Sequence, residues 1–405
     1  MSAKRYVIIG AGASGLSLCH ALLERGVTDE IVVLDQKTAF TDDRTWCFWN
    51  TALHPYSSLA SHCWQRWNVV QSGGQTVSQT SARGGYACLR GIDFYSFVTE
   101  AIRGASNVTL KLGCPLESLQ NEPNGVAVTA GGETWNADAV FDSRPRPVPP
   151  GGLSFSQRFF GQFIRTSSPA FDPSRCTLMD FRVSQQNGLH FVYVLPFSPT
   201  EALVENTYIQ AASAEKIPAD QHRQEIGAYL TETCRLDAFA VQREEAGAIP
   251  MTTQPFPKRD GRVFYLGTAG GCSKPSSGYT FTRIQEQCRQ LADAVHSGTL
   301  ERFREKLPAR RYRFFDAVFL QALSDNPAGF PGYFQSLFTR VPPDMLTAFL
   351  SETSTWPGDF QILRSLPLRP FLTAALRAAP LLVPSLRAGP KQPRLSAPGS
   401  LSPPG

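Results

Sequence analysis

Tyr6-Val7-Ile8-Ile9-Gly10-Ala11-Gly12-Ala13-Ser14-Gly15 is the stretch on which the reading of this chain turns. Four β-branched or aromatic residues break into glycines. Apolar residues then recur at helical spacing at Leu16, Cys19, Leu22 and Leu23, and a second run, Ile31-Val32-Val33-Leu34, ends in Asp35. Strand, glycine turn, helix, strand and acid in that order make a unit that binds an adenine dinucleotide. Gly10 permits the tight turn, Gly12 lets backbone approach a pyrophosphate, and Gly15 brings the helix onto the strand. The free amides at the helix start, around Ser14, favour phosphate. Asp35 is placed to accept from the adenosine ribose hydroxyls.

Outward from this unit, the 405 residues are enough for two or three lobes, and a net charge of +5 with 18% charged and 42% hydrophobic residues is an ordinary globular balance. It lacks the basic density of a nucleic-acid binder, so no nucleic acid is expected as partner. The nine cysteines are odd in number, scattered, and never spaced as CxxC, which reads as reduced thiols with no disulfide frame or zinc site. No metal constellation is expected. Only a four-residue apolar run stands between Lys4-Arg5 and the glycines, which does not resemble a secretory leader, and no window reaches the roughly 18 apolar residues of a spanning helix. A cytoplasmic protein is expected, meeting a membrane, if at all, from its inner face.

The predicted organisation is α/β. Residues 1–150 with 255–300 form a Rossmann-like domain, residues 151–254 an antiparallel substrate domain, residues 301–387 a helical lobe, and residues 388–405, rich in proline, serine and glycine, a disordered tail. Asp42 to Trp49, with two tryptophans beside an Asp-Arg pair, is expected as a packed loop or a wall over the cofactor. Ile92 to Ile102 reads as a helix, Val108 to Leu112 as a strand, and Gly125–Thr129 with Glu133–Asn136 as a hairpin. Four apolar strands between Gly161 and Ile209 suggest the wall of a hydrophobic chamber. Val263 to Gly267, then Thr268-Ala269-Gly270-Gly271, Gly278 and a helix from about Arg283, return the chain to the nucleotide. From Phe360 to Arg387 apolar residues alternate with Arg364, Arg369, Arg377 and Arg387, the composition of an interfacial helix or of a packed lobe with solvated arginines. His54 and His62 lack the partner spacing of ligands.

Joined to the glycine unit, Asp43-Arg44-Thr45-Trp46 resembles the lycopene cyclases of carotenoid synthesis. The resemblance recurs at Leu178-Met179-Asp180-Phe181-Arg182, at Leu195 to Glu205, at Ile249-Pro250-Met251, and at Gly267 to Phe281, in the family's order over roughly residues 5 to 380. It implies a flavin-binding fold of the reductase and hydroxylase type, with Arg44, Gly267, Thr268 and Gly278 around the FAD. It further implies FAD working in reduced form with NAD(P)H as electron donor, lycopene as substrate, and contact with a membrane, where that hydrocarbon resides. The implied reaction closes linear ψ-ends to β-rings without net redox change. The family's Phe-Leu-Glu-Glu-Thr motif falls on Leu203-Val204-Glu205-Asn206-Thr207, keeping the first acid and replacing the second.

The chemistry points the same way. Protonating an unactivated alkene needs a strong acid in a dry site, and a glutamate on an apolar strand has its pKa raised by desolvation. Glu205 is the expected acid and Glu201 a second candidate. The cation that follows is to be stabilised by reduced flavin and by aromatic faces such as Trp46, Phe48 or Phe281. The motif order leaves two rivals open: a flavin monooxygenase or dehydrogenase acting on a hydrophobic substrate, and a non-catalytic isoprenoid-binding protein.

Overall fold

The computed structural model describes residues 3–51 and 55–379; His54, Arg387 and the expected tail lie outside these. The glycine unit folds as β1 (Arg5–Ile9), α1 (Ala13–Glu24) and β2 (Glu30–Asp35). There follow β3 (Thr45–Trp49), β4 (His62–Trp64), β5 (Arg66–Val70), β6 (Thr76–Thr80), β7 (Tyr86–Arg90), α2 (Gly91–Arg103), β8 (Val108–Leu112), β9 (Leu116–Glu122), β10 (Gly125–Ala130), β11 (Glu133–Ala137) and β12 (Ala139–Asp142). The second half of the strands comprises β13 (Ser154–Arg165), β14 (Arg175–Asp180), β15 (Leu189–Ser198), β16 (Glu201–Ala211) and, after α3 (Ala219–Ala228), β17 (Ala240–Thr252), β18 (Arg259–Asp260) and β19 (Val263–Tyr265). Then come α4 (Phe281–His296), α5 (Arg310–Asp325), α6 (Phe330–Arg340), α7 (Pro343–Leu350), α8 (Trp356–Ser365) and α9 (Leu368–Ala378).

The nucleotide sheet runs β18-β19-β12-β1-β2-β8, with β1 parallel to both β2 and β12. Val7, Ile8, Ile31 and Val33 are wholly buried, as a parallel sheet covered on both faces requires. α1 and α4 pack on one face, and β9–β11 form a three-stranded cover on the other.

The second sheet runs β17-β13-β16-β15-β14-β5-β6, antiparallel except where β14 meets β5. Two expectations change here. Residues 66–80, read with the nucleotide domain, pair as β5 and β6 into this second sheet. Asp42 to Trp49 is no simple loop: its second half is β3, paired with β7 in a small sheet between the two larger ones. In both cases the partner strand is far away in sequence, so local pattern carries no sign of it.

The helices α5 to α9 cover the second sheet and share its apolar core, from Trp67 and Leu178 to Phe330 and Leu346. The β5–β6 hairpin seats this lobe: Gln79 donates to Phe338 O at 2.6 Å and to Val341 O at 2.7 Å, and Gln71 to Pro331 O at 2.7 Å. Lys274, buried, meets Asp316 at 2.8 Å and Glu352 at 3.1 Å, tying the lobe to the segment before α4.

Candidate active site

On the nucleotide side, Gly10 sits at φ +95° and a Cβ there would meet Ser143 Oγ at 2.3 Å. A Cβ on Gly15 would lie 1.8 Å from Gly10 O, so helix and turn touch backbone to backbone. These two glycines shape the turn, whereas Gly12 faces open space, with nothing within 4 Å of its missing Cβ. Gly12 is also the N-cap of α1 and supplies no capping side chain, leaving the first amides free toward a cavity of about 450 Å³. Gly12, Ser14, Arg44, Thr268 and Gly278 all line that cavity, so these residues fit the phosphates and ribityl chain of a flavin dinucleotide. Gly267 lies beneath, at φ +57°, where a Cβ would strike Ser14 Oγ at 2.0 Å.

Asp35 at the end of β2 also braces the turn: its Oδ2 accepts from Ala11 N–H at 2.6 Å and its Oδ1 from Lys37 N–H at 2.8 Å, and Lys37 and Asp43 line the cavity beside it.

Across the cavity stands β16. Register places Glu205 opposite Gly161 of β13 on one side and Tyr193 of β15 on the other, and Gly161 is in turn opposite Glu245 of β17. Residues directly opposite share a face, so Tyr193, Glu205 and Glu245 point the same way, and all three line the cavity. Gly161 makes the row possible: a Cβ there would meet Leu203 Cδ1 at 2.9 Å and press on the Glu245 and Glu205 side chains at 3.4 and 3.6 Å.

The two carboxyls are held differently. Glu205 takes a hydrogen bond from Thr207 Oγ1 at 3.1 Å. Burial, aided by the Glu245 carboxylate, pushes its pKa up to about 8. Glu245 accepts at one oxygen from Thr45 Oγ1 at 2.8 Å and from Arg243 at 3.0 Å, and Arg243 reaches on to Asp42 at 3.0 Å. Arg44 donates to the adjacent Ala246 O.

Glu201 is not part of this constellation: it lies at the start of β16, half exposed, in an ion pair with Arg165, and does not line the cavity. Asn206 points to the opposite face and is fully buried. Of the aromatic candidates, Trp46 and Phe281 line the cavity and stack on each other at 5.4 Å, while Phe48 is buried. Glu245, Tyr193, Tyr279, Cys47 and Thr45 were not singled out from sequence; the alternation Arg243, Glu245, Gly247, just before Ile249-Pro250-Met251, is the signal that marks Glu245.

A second, apolar channel with about 150 Å³ of free space runs between the second sheet and the helical lobe, lined by residues such as Leu178, Phe191, Phe319 and Phe334. It shares Gln157, Tyr193, Ser277 and Tyr279 with the nucleotide-side cavity, so the two meet beside Glu205. Leu363, Leu366 and Phe371 also line it, and close to them in sequence Phe360, Leu368, Leu372 and Leu376 are more than half exposed on α8 and α9.

A parallel sheet with a glycine turn, an antiparallel second sheet and a helical lobe define a flavoprotein fold of the reductase and monooxygenase type. Solved structures agree at the level of the fold. A geranylgeranyl bacteriochlorophyll reductase-like protein from Thermoplasma acidophilum superposes with a TM-score of 0.58 at 10% identity, covering 95% of this chain and 98% of that one. A p-nitrophenol 4-monooxygenase from Pseudomonas putida gives 0.57 at 12% identity, covering 94% and 98%. The halogenase PltM, solved with phloroglucinol and FAD, gives 0.57 at 13% identity, covering 86% and 82%. Within this class the family is specific. The profile described as "Lycopene cyclase protein" matches residues 6–376, and the chain belongs to the lycopene cyclase family. It is 25% identical over 386 residues to a lycopene beta-cyclase of Pantoea ananas, covering 92% of this chain and 97% of that one. To a lycopene beta-cyclase of Pseudescherichia vulneris it is 25% identical over 303 residues, covering 73% and 75%.

Proposed function

We propose that this protein is an isomerase that cyclises the ψ-ends of lycopene to β-rings, with Glu205 as the acid. The observation that carries this reading is the place of Glu205: it lines the nucleotide-side cavity with its pKa pushed up by burial, opposite Tyr193, a residue that also lines the aromatic, hydrocarbon-lined channel. The channel offers apolar contact along its length and few polar partners, which suits a polyene. Glu205 gives its proton to the terminal double bond, the ring C–C bond forms, and a proton leaves the ring carbon, so atoms balance without net oxidation. Trp46 and Phe281 present aromatic faces to the cavity that favour a cation. Bound FAD, reduced by NAD(P)H, supplies delocalised negative charge that does not compete as a nucleophile. Gly12, Ser14, Arg44, Thr268 and Gly278 are assigned to hold it.

The substrate enters from a bilayer in this reading. No described helix is long and apolar enough to cross a membrane, and the exposed apolar residues of α8 and α9, interleaved with Arg364, Arg369 and Arg377, are close in sequence to the channel-lining Leu363, Leu366 and Phe371. The chain therefore docks on one side, at the inner face of a cytoplasmic membrane. Retention by anionic phospholipid vesicles, weakened in a Leu368→Ser, Leu372→Ser, Leu376→Ser variant, supports this; equal retention of the two proteins sinks it.

The reaction is tested by producing the protein in bacteria that accumulate lycopene and resolving the pigments by chromatography. β-Carotene from the wild type, and lycopene left in a flavin-loaded Glu205→Gln variant, are expected. Lycopene unchanged by a folded, flavin-loaded wild type overturns the reading.

A further inference from the structure

Across the gap over Gly161 the two carboxyls of the second sheet have unequal company. Glu245 has a cation, Arg243, and a hydroxyl, Thr45 Oγ1, both on the same oxygen, whereas among the described residues Glu205 has the Thr207 hydroxyl and no cation. Arg243 is itself fixed, stacked 3.6 Å over the Phe163 ring and paired with Asp42. Burial raises the Glu245 carboxyl as well, and the Arg243 cation and the Thr45 hydroxyl oppose that rise; two carboxyls facing each other across a single glycine do not both ionise freely, and the one with the cation is favoured for the charge.

We propose that Glu245 is a positioning residue for the acid: as a carboxylate anchored by Arg243 and Thr45, it holds the proton on Glu205 across Gly161. The proposal deepens the cyclase reading and rests on it. One proton enters the substrate from Glu205 in each closure and one leaves the ring, so Glu205 must be reprotonated once per turnover. When Glu205 has given up its proton, two negative charges face each other over Gly161, and their repulsion favours that reprotonation.

The other groups facing this pair are compatible with the assignment. Tyr193 of β15, Tyr86 of β7 and Tyr279 before α4 are pushed up by burial, and the free thiol of Cys47 on β3 is pushed up by its hydrogen bond with the Cys88 thiol and by burial, so all four are neutral at physiological pH. Arg44, Asp43 and Lys37 line the nucleotide end of the cavity, where Lys37 pairs with Asp43 at 2.9 Å, and Asp42 lies behind Arg243. Glu245 is thus the anionic group beside Glu205 on the face of the sheet.

The test has two readouts on the full-length, flavin-loaded protein. The first is the pH profile of lycopene turnover. Glu245→Gln is expected to move its alkaline limb to lower pH by about tenfold in proton concentration, and Glu245→Asp to restore most of the wild-type profile. The second needs no lycopene: the infrared C=O stretch of a protonated carboxyl, present at neutral pH in the wild type and absent in Glu205→Gln, should vanish at lower pH in Glu245→Gln. A limb and a band that stay in place in a folded Glu245→Gln protein overturn the proposal. So does a uniform loss of turnover at all pH values with the band unmoved. If the wild type cyclises nothing but the band moves as stated, the cyclase reading fails while the coupling of the two carboxyls stands.

Discussion

Glu205 and Asn206 are consecutive on β16, and the two faces of that strand treat polar groups in opposite ways. On the cavity face Glu205 is underpartnered and carries its proton into the neutral range. On the other face Asn206 is saturated: its amide donates to Glu225 at 2.6 Å and to His222 Nδ1 at 3.2 Å, its carbonyl meets His190 Nε2, and Tyr208 donates to the same Glu225 at 2.8 Å. Burial lowers both histidines, so this network beneath α3 is neutral at its imidazoles. Strand alternation sends neighbours to opposite faces. Two adjacent acids on β16 would therefore never share the cavity; Glu245 reaches it from β17, two strands away, in register across Gly161 of β13.

The comparison can be broken in three ways, in falling order of effect. Glu205→Gln should lower turnover per folded molecule at least about 100-fold, the usual worth of a general acid, without loss of stability at neutral pH. Asn206→Ala should do the reverse. It strands His190 and Glu225 and costs about 2 kcal/mol in denaturant unfolding, while turnover of the folded fraction remains within a few-fold; a loss as deep as that of Glu205→Gln would show that both faces serve the chemistry. The pH dependence of stability should differ by face and sign. Glu205 is raised in the folded state, so its contribution is complete below the ordinary carboxyl value of 4.5 and is lost as pH rises through about 8. His190 and His222 are lowered, so their side gains stability as pH rises through the ordinary histidine value of 6.5. Thermal melts of wild type minus Glu205→Gln across that range isolate the first slope, and a difference that stays flat with pH refutes it.

Much of this was legible in the sequence because it is local. The β1-α1-β2 unit is a pattern of neighbours: Gly10 and Gly15 shape the turn as their spacing implies, and Gly12 faces open space. Glu205 was recoverable because alternation around Leu203 and Thr207 puts it on one face, and burial then decides its chemistry. What escaped is what register decides. Glu245 joins Glu205 only through the β13 bridge at Gly161, and Tyr193 only through β15. Asp35 keeps the expected position and also braces the turn through Ala11 and Lys37. The meeting of the apolar channel with the nucleotide-side cavity depends on α5 to α9 folding back over the second sheet, which no local signal encodes.

The placement of the β5–β6 hairpin has a mechanical consequence. Because these two strands belong to the second sheet while β4 and β7 do not, the chain passes between the nucleotide half and the second sheet after β4, after β6, after β12 and after β17. A swing of one half against the other has to bend every one of those crossings together. The helical lobe follows α4 through a single connection and is fastened by the two glutamines, by the shared apolar core and by the buried Lys274 ion pairs. The space between the glycine turn and β16 is thus bounded by four chain crossings, which act together to set its width.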